Sequence, residues 1–291
     1  MTSGSAPTAL TVTSLLRASP LAALDARVLL GHALGWRRTE LITRADEPLD
    51  PRAVAAFRTL EAKRIAGEPI AQIVGVREFY GLDFEVTPDV LIPRPDTELL
   101  VETALAAIES IPRARVLDLG TGSGAIAVAI ASVRPDARVW AVDRSATAIA
   151  VATRNAAKLL DAHRPGGPIA FLQGDWYGAL EDSSMPASAF EFDAIVSNPP
   201  YIAAGDPHLE TGDLRFEPRG ALTDESDGLT AIRAIVVGSG SFLAKGAHLL
   251  IEHGYDQAAQ VRALFEAAGF EHIRSLQDLA GIERTTGGQR I

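Results

Sequence analysis

The chain of 291 residues is 47% hydrophobic, which is enough to bury the core of one large domain or of two unequal ones. Its 37 acidic residues outnumber its 27 lysines and arginines, and the net charge of −10 argues against a surface that binds the phosphates of nucleic acid. The absence of cysteine excludes disulfide bonds and thiolate metal sites and is compatible with a reducing cytoplasm.

The beginning of the chain does not resemble a targeting segment. Residues 1–7 are small and polar, unlike the charged flank and apolar run of a signal peptide. No apolar stretch approaches the ~20 residues that cross a bilayer as a helix. We therefore expect a soluble, cytoplasmic protein that makes no contact with membranes.

The first predicted domain, residues 1–75, is entirely helical. Ser19-Pro20 is typical of a helix N-cap followed by proline at the first helical position, and the apolar run that follows ends at Gly35. Asp50-Pro51 repeats the signal, and Gly67 closes that second helix. The residues predicted to form its apolar face, and with it a bundle core, are Val54, Phe57, Leu60 and Ile65.

Residues 76–90 predict a β-hairpin that connects two domains, because aromatic and β-branched residues flank Gly81. In the second domain, residues 91–291, apolar segments of strand length alternate with segments of helical periodicity. The predicted strands are 115–119, 138–142, 169–172, 192–197, 247–252 and 271–276. This alternation predicts an α/β fold with a doubly wound parallel sheet. A serine-rich stretch, 181–189, is expected to be a loose segment.

The first strand of this domain runs directly into a glycine-rich loop. The loop comprises Gly120, Thr121, Gly122, Ser123 and Gly124. Glycines at the start of a helix let the backbone approach a ligand more closely than a Cβ would permit, and open α/β sheets bind ligands at the carboxyl ends of strands. The loop is therefore a candidate cofactor site. It also fits the dinucleotide-binding pattern, so a nicotinamide cofactor remains open at this point.

Acidic residues follow the next two strands. Asp143 ends the second strand, where its carboxylate can accept hydrogen bonds from both hydroxyls of a ribose. Asp175, after the third strand, offers an acceptor for an adenine amino group, and Trp176 offers an aromatic wall beside it. Each carboxylate taken alone is equally compatible with a helix N-cap. Their positions after successive strands favour a nucleoside-binding site.

The fourth strand ends in four residues that we call the tetrad: Asn198, Pro199, Pro200 and Tyr201. Prolines cannot donate to a sheet ladder, so the strand stops and its carbonyls become free. The residue before a proline is pushed towards extended geometry, which sets the backbone of Asn198. The Asn198 side-chain oxygen and the Pro199 carbonyl can then each accept one hydrogen of a substrate NH2 group. The Tyr201 ring can pack on a flat substrate.

Methyl transfer to a planar nitrogen requires such acceptors. The lone pair of an amide nitrogen is delocalised, and positive charge develops on the nitrogen as it takes a methyl group from a sulfonium. Two fixed acceptors stabilise that charge and align the nitrogen. The chemistry needs no metal, and the six histidines are scattered rather than spaced as metal ligands. The tetrad therefore predicts a methyltransferase that uses S-adenosylmethionine and acts on an amino nitrogen.

With these motifs in place, the chain resembles the HemK/PrmC family of protein-(glutamine-N5) methyltransferases, which act on class-I peptide chain release factors. Further stretches that carry the resemblance are 67–69, 77–81, 91–98, 206–209, 215–218 and 252–254. The tetrad alone is shared with adenine-N6 DNA and guanine-N2 RNA methyltransferases, whereas the stretch Ile-Pro-Arg-Pro-Asp-Thr-Glu is far more specific to the family. Residues 175–176 and 252–254 resemble the release-factor branch more than the branch that acts on ribosomal protein L3.

The resemblance implies a seven-stranded, mostly parallel Rossmann-like sheet and a helical domain that helps to grip the release factor. It implies that the glycine loop, Asp143, Trp176 and Asn198 contact S-adenosylmethionine, that the tetrad holds the target glutamine, and that S-adenosylhomocysteine is released. Arg94 and Thr97 would line the methionine end of the cofactor. The enzyme is expected to be a monomer. Residues 287–289 spell Gly-Gly-Gln, the target tripeptide of release factors, which we interpret as a coincidence in a loose tail.

Three other classes of function compete with this interpretation. A nucleic-acid amino-methyltransferase would share the tetrad, but the acidic charge and the lack of a separate basic domain argue against it. A nicotinamide oxidoreductase explains the glycine loop and leaves the tetrad without a role. A pure binding module would not need a cofactor loop.

Overall fold

The structure, a computed structural model, describes residues 10–181 and 190–291. The chain divides into two compact units, of which the first ends at Gly75 and the second begins at Val76. The N-terminal residues 1–7 and nearly all of the serine-rich stretch lie outside the described residues, so the expectations for them concern parts that the structure does not describe. None of the described helices has the length and apolar character needed to cross a membrane.

In its described residues, 10–75, the first unit contains helices and no strand, as predicted. Its helices are α1 (Val12–Ala18), α2 (Ala23–Leu34), α3 (Arg38–Thr43), α4 (Pro51–Ile65) and α5 (Ile70–Val74). Asp50 caps α4, because its side chain accepts a hydrogen bond from the Arg52 N–H at 2.8 Å. Gly35 ends α2 in the left-handed region, with φ of 65°. The sequence signals at these two helix ends are thus confirmed.

Two details of this unit differ from the prediction. Helix α2 begins at Ala23 and not at Pro20, because the Ser19 hydroxyl accepts a hydrogen bond from the Leu21 N–H at 3.3 Å and forms a turn ahead of the helix. Ile65 is 60% exposed in the last turn of α4 and does not belong to the core. The buried core of the unit consists of Val12, Leu15, Leu29, Leu30, Leu41, Leu49, Phe57 and Ile73.

The predicted hairpin is present at the start of the second unit. Its antiparallel strands are β1 (Val76–Phe79) and β2 (Leu82–Glu85). Tyr80 and Gly81 connect the strands with positive φ angles of 53° and 75°, as tight two-residue turns require. Phe79 and Phe84 are buried in a hydrophobic core of the second unit, with ring centroids 6.0 Å apart. The hairpin is therefore packed as part of the second unit.

A seven-stranded sheet with the order β5-β4-β3-β6-β7-β9-β8 forms the centre of the second unit. Its strands are β3 (Arg115–Leu119), β4 (Arg138–Asp143), β5 (Ala170–Gln173), β6 (Phe192–Ser197), β7 (Leu243–Glu252), β8 (Phe270–Gln277) and β9 (Glu283–Arg290). Strands β3 to β7 are parallel, and β9 runs antiparallel between β7 and β8. The predicted fold class, a doubly wound and mostly parallel sheet preceded by a helical region, is confirmed.

Helices cover both faces of this sheet. The described helices of this unit are α6 (Glu98–Ala107), α7 (Ala125–Val133), α8 (Ala146–Leu159), α9 (Gly178–Glu181), α10 (Arg219–Leu222), α11 (Thr230–Gly238) and α12 (Ala258–Ala267). Residues of α6, α7 and α8 pack into one hydrophobic core, and residues of α11 and α12 pack into another. Neighbouring residues of one strand alternate between them, since Val116 belongs to the first core and Leu117 to the second. The strand ends are thereby held in a fixed register.

Strand β9 corrects the interpretation of the C-terminal region. Residues 287–289 were expected to lie in a loose tail, but Gly287 pairs with Leu250 of β7 and Arg274 of β8. A Cβ on Gly287 would lie 2.5 Å from the Leu250 side chain, and a Cβ on Gly288 would lie 2.8 Å from the ring of Phe265. The two glycines are thus required by close packing inside a sheet. This strand was not predicted, because its sequence has neither an apolar run nor a regular alternation of apolar and polar residues.

Candidate active site

The carboxyl ends of β3, β4, β5 and β6 border a cavity of about 690 Å³. The predicted site residues that line it are Gly120, Gly122, Asp143, Asp175, Trp176, Asn198 and Pro200. The predicted residues that do not line it are Arg94, Thr97, Thr121, Ser123, Gly124, Pro199 and Tyr201. The structure therefore brings the cofactor loop, both carboxylates and the head of the tetrad to a single cavity.

The glycine loop adopts a backbone that favours glycine. Gly120 and Gly122, which face the cavity, have positive φ angles of 75° and 54°. The N–H groups of Gly120 and Thr121 both donate to the Val142 carbonyl at 2.9 Å. The loop is consequently attached to the end of β4, beside Asp143. Thr121 and Ser123 are buried and support the loop from within.

A buried carboxylate that was not predicted from sequence supports the loop. Asp118 lies within β3, and its Oδ2 accepts hydrogen bonds from the Thr121 hydroxyl at 2.6 Å and from the Ala127 N–H at 3.2 Å. Burial raises the pKa of Asp118 to about 7. The available signal was an acidic residue among the apolar residues of the strand, two positions before the first glycine of the loop.

Asp143 holds two backbone groups at the end of β4. Its Oδ2 accepts from the Gly122 N–H and its Oδ1 from the Ser145 N–H, both at 2.9 Å. The N-cap of α8 is Ser145, whose hydroxyl accepts from the Ala148 N–H, so Asp143 is not the helix cap. A carboxylate has about four acceptor positions. Both oxygens of Asp143 therefore keep the capacity to accept from the hydroxyls of a ligand.

Trp176 forms an aromatic wall beside the loop. Its φ of 44° lies in the left-handed region, which is rare for an aromatic residue and which persists where the surroundings fix the backbone. The ring lies 3.5 Å from the position that a Cβ on Gly120 would occupy. Asp175 lines the same cavity next to it. The aromatic and acidic pair that follows β5 thus borders the glycine loop.

The tetrad is anchored to the sheet and to one buried hydroxyl. The Ser197 hydroxyl, just before it, donates to the Leu119 carbonyl at 2.7 Å and fastens β6 to β3. The Asn198 Nδ2 donates to the Thr97 hydroxyl at 3.1 Å. This contact engages the Asn198 nitrogen, and the side-chain oxygen retains the capacity to accept a hydrogen bond. Pro199 is buried and Pro200 lines the cavity.

Tyr201 contacts a second buried carboxylate at the end of β7. Its hydroxyl donates to Glu252 Oε1 at 3.4 Å, and burial raises the pKa of Tyr201 well above its usual value, so that the hydroxyl keeps its proton. Burial also raises the pKa of Glu252 to about 7, while the hydrogen bond from the Tyr201 hydroxyl acts in the opposite direction. From sequence, Glu252 is recognised only as part of the stretch 252–254, without a role.

Arg94 and Thr97 contact other site residues rather than the cavity. Arg94 forms an ion pair with the buried Glu217, which also accepts a hydrogen bond from the Ile92 N–H at 2.9 Å. Glu217 was not predicted as a site residue, although it lies in the stretch 215–218. The predicted contact of Arg94 and Thr97 with the methionine end of the cofactor stays a prediction. Their observed contacts fasten the segment before α6 to the loop after β6.

Histidines do not form a metal site in the part of the chain that the structure describes. No group of three or more histidine or carboxylate side chains there could hold a metal ion. The ring of His253 is buried between the Gly254 carbonyl at 2.9 Å and the Thr286 hydroxyl at 2.8 Å. His248 lies opposite Gln289 in the sheet. Both histidines have structural surroundings.

These arrangements define the class of the protein. The tetrad and the glycine loop lie on one cavity, so a nucleoside cofactor on the loop and a planar nitrogen on the tetrad would be neighbours. A sheet built only to bind a nicotinamide dinucleotide would leave that second feature without a purpose. The protein is a Rossmann-like methyltransferase, a class whose methyl donor is S-adenosylmethionine.

Comparisons with known proteins identify the family within this class. The family model described as PrmC N-terminal domain matches residues 11–75, and the methyltransferase small domain matches residues 95–214. A release factor glutamine methyltransferase of Burkholderia pseudomallei is 65% identical over 97% of this chain and 97% of its own. A release factor glutamine methyltransferase of Bordetella pertussis is 53% identical over 94% of this chain and 97% of its own. The chain belongs to the family of release factor glutamine methyltransferases.

A solved structure supports the fold independently. The hMettl16 catalytic domain, in complex with MAT2A 3'UTR hairpin 1, is similar with a TM-score of 0.54. The similarity covers 83% of this chain and 80% of that chain at 15% sequence identity. At this level of identity the likeness concerns the fold alone. It agrees with a Rossmann-like methyltransferase sheet.

Proposed function

We propose that the protein transfers a methyl group from S-adenosylmethionine to the side-chain amide nitrogen of the glutamine in the Gly-Gly-Gln motif of class-I peptide chain release factors. S-adenosylhomocysteine would be released, and translation termination would be modulated. The observation that carries the proposal is Asn198, whose amide nitrogen is bound by Thr97 and whose oxygen is thereby offered to a substrate N–H beside the cofactor loop. The shared name of the relatives indicates the substrate class.

The cavity fits S-adenosylmethionine in its chemistry. The glycine loop lets backbone approach the cofactor, and the carboxylate of Asp143 would accept from the ribose hydroxyls. Asp175 would accept from the adenine amino group, and Trp176 would pack along the adenine ring. When bound, the cofactor supplies an electrophilic methyl group on a positively charged sulfur. The proposed reaction uses no metal.

The tetrad would hold the target nitrogen during transfer. Asn198 Oδ1 and the Pro199 carbonyl would each accept one hydrogen of the glutamine amide, and the Tyr201 ring would pack against its plane. Because positive charge develops on the nitrogen as the methyl group arrives, both hydrogen bonds become stronger in the transition state. These interactions stabilise the transition state more than the bound substrate, so they raise the turnover rate.

The charge of the site favours a protein substrate over nucleic acid. Asp89, Asp224 and Glu225 line the cavity together with the two predicted carboxylates. With a net charge of −10, such a surface repels phosphates and attracts a cationic cofactor. We propose that the enzyme acts as a monomer in the cytoplasm, with a protein as its partner and without direct contact with nucleic acid or membranes.

The proposed function is tested by co-expressing the chain with a class-I release factor. Mass spectrometry of the peptide that contains Gly-Gly-Gln should detect one added methyl group, located on the glutamine. Co-expression with the Asn198→Ala variant is the matched control and should leave a much smaller fraction of the peptide modified. An unmodified glutamine with the unaltered enzyme, or methylation at another residue, contradicts the proposed substrate.

We further propose that residues 1–75 form a substrate-recognition domain, that 76–90 form the hairpin connector, and that 91–291 form the catalytic domain. The hydrophobic cluster around Phe57 contains only residues of the first unit, which favours independent folding. A chain that starts at Val76 is therefore expected to bind S-adenosylhomocysteine with unchanged affinity but to lose activity on intact release factor. Calorimetry and a methylation assay measure the two properties. Loss of cofactor binding in a soluble truncated chain would contradict this division.

A further inference from the structure

We propose that Gln257 is a positioning residue that fixes Tyr201 in the orientation in which its ring meets the substrate. The inference rests on the proposed function and adds a residue to it. Gln257 immediately precedes α12 and is only 8% exposed. Its Nε2 donates to the Tyr201 carbonyl at 2.9 Å and to the Gly228 carbonyl at 3.2 Å, while its Oε1 accepts from the Gly254 N–H at 2.8 Å. One buried amide thus joins the tetrad to the turn after β7 and to the turn before α11.

The three partners permit only one orientation of this amide. The two carbonyls can only accept and the Gly254 N–H can only donate, so the nitrogen of Gln257 must face the carbonyls and its oxygen must face Gly254. Both hydrogens of the nitrogen are in use. A carboxylate at position 257 would keep the acceptor for Gly254 but would place an oxygen against two carbonyl oxygens. The side chain therefore requires an amide, and not merely a polar group, to hold the three segments together.

Tyr201 is held at two points by residues of the same region. The Gln257 amide binds its carbonyl, and Glu252 Oε1 accepts from its hydroxyl at 3.4 Å. The chain that follows is fixed as well, because the Ile202 N–H donates to the Leu222 carbonyl at 3.0 Å. Small displacements of a group that packs on the reacting side chain are costly, since transfer requires the nitrogen in line with the methyl group. Loss of the shorter of the two Tyr201 contacts is therefore expected to lower turnover.

Gly228 provides a second, independent connection to the same carbonyl. A Cβ at this position would lie 2.4 Å from the Tyr201 carbonyl oxygen and 2.8 Å from the Gln257 Nε2. The Gly228 φ of 79° also favours glycine, and its N–H donates to Asp224 Oδ1 at 3.0 Å. Because Asp224 lines the cavity, this turn contacts both the cofactor site and the tetrad. Its close approach allows one glutamine to reach both carbonyls.

The main test uses full-length variants with a class-I release factor as the acceptor. Gln257→Glu keeps the shape and the acceptor but loses both donors, and Gln257→Ala loses all three hydrogen bonds. We expect kcat to fall about tenfold in both. KM for the release factor should change little, because a protein substrate is bound over a large surface of which one glutamine is a small part. The stoichiometry of S-adenosylhomocysteine binding in calorimetry should stay unchanged and would show that the variants are folded.

Gln289→Ala is the matched control for these variants. Gln289 also donates its Nε2 to a backbone carbonyl, that of Gly246 at 2.7 Å, but near the opposite end of β7. Its replacement should leave kcat near normal. A second pair compares glycines of equal backbone conformation. Gly228→Ala should lower kcat, whereas Gly269→Ala should lower only the melting temperature, because Gly269 has a φ of 80° and no described atom lies within 4 Å of the added Cβ.

A double variant shows whether Gln257 acts through Tyr201. Tyr201→Ala should lower kcat at least as much as Gln257→Ala does. Once the ring is absent there is nothing to orient, so Tyr201→Ala/Gln257→Ala should be no slower than Tyr201→Ala. A residue that served only the stability of the fold would instead add its own loss, and the binding stoichiometry would fall together with kcat.

Several outcomes would overturn the proposal. They are a normal kcat in Gln257→Glu or in Tyr201→Ala, losses that multiply in the double variant, and a loss in Gln289→Ala equal to that in Gln257→Ala. A fall in binding stoichiometry that accounts for the fall in kcat would also exclude it. Failure of the unaltered enzyme to methylate the release factor contradicts the proposed function itself, whereas a normal Gln257→Glu variant of an active enzyme contradicts only this inference.

Discussion

Replacing Asn198 by alanine is expected to reduce kcat of methyl transfer by about a hundredfold or more, as deletion of a group that stabilises transition-state charge does. The affinity for S-adenosylhomocysteine should change little, because the Asn198 oxygen acts mainly on charge that develops at the substrate nitrogen. The fold should be retained, since the backbone here is fixed by the two prolines and by Ser197, which is bonded to Leu119. Single-turnover kinetics and calorimetry measure the two quantities separately.

Asn198→Asp is the more discriminating variant of the same residue. It retains acceptor oxygens but loses the N–H donor to Thr97, and it places a negative charge beside a cationic sulfonium. Cofactor binding should be unchanged or tighter, while turnover should remain poor. If Asn198→Ala methylates the release factor at nearly the wild-type rate, the tetrad is only a structural turn and the proposed mechanism is wrong.

Replacing Asp143 by alanine is expected to weaken binding of S-adenosylmethionine about ten- to a hundredfold. Hydrogen bonds to a charged group contribute about 1.5–3 kcal/mol, and the ribose hydroxyls would lose their acceptor. The change also removes the acceptor for the Gly122 N–H, so the glycine loop loses a constraint on the side that faces the cavity. Isothermal titration calorimetry with S-adenosylmethionine measures the effect.

Asp136 provides a matched control for this experiment. It lies just before β4, whereas Asp143 is the last residue of the same strand, and it accepts a hydrogen bond from the Arg113 N–H at 2.8 Å, in the same manner. Asp136→Ala should leave cofactor affinity unchanged, because its side chain does not line the cavity. Unchanged affinity in Asp143→Ala would remove Asp143 from the cofactor site, and equal losses in both variants would indicate a general loss of stability.

The parts of the site that could be predicted are those in which local sequence dictates local structure. Glycines at 120 and 122 adopt positive φ, and paired prolines end β6. Asp143 could be assigned to the same edge as the loop because parallel strands align their carboxyl ends. These signals lie within a few residues of the groups that they position. In the structure the loop, Asp143, Trp176 and Asn198 line one cavity.

The parts that could not be predicted depend on contacts between distant residues. Asn198 and Thr97 are separated by 101 positions, and Arg94 and Glu217 by 123. No local pattern indicates that a buried glutamate at the end of β7 will accept a hydrogen bond from the Tyr201 hydroxyl. Apart from the tetrad, these residues lie in the stretches 91–98, 215–218 and 252–254, which the sequence singled out only because they resemble the family. Their contacts form only in the folded chain, where the sheet brings β6, β7 and the segment before α6 together.

The fold was predictable to the extent that each strand had its own apolar run. The residues of β3 and β6 were predicted without error, and the ends of β4 and β5 to within one residue. Strand β9 was not predicted, because it consists of polar residues and glycines although it lies between two other strands. The side chains of Leu250 and Phe265 occupy the space beside its glycines. The packing of its neighbours, and not its own hydrophobicity, stabilises this strand.

The position of β9 also determines the order in which the sheet can be completed. Among the strands of the described residues, β8 pairs only with β9, and β9 pairs with β7. Strand β8 therefore joins the sheet only when the chain has turned back to form β9. By contrast, β3 to β7 are joined by successive crossovers of a parallel sheet. Because pairing that must wait for a later segment is slow and leaves a strand edge exposed, we expect closure of this edge to be a late folding step. The half of the sheet that carries the cofactor loop and the tetrad can therefore assemble before the opposite edge is closed.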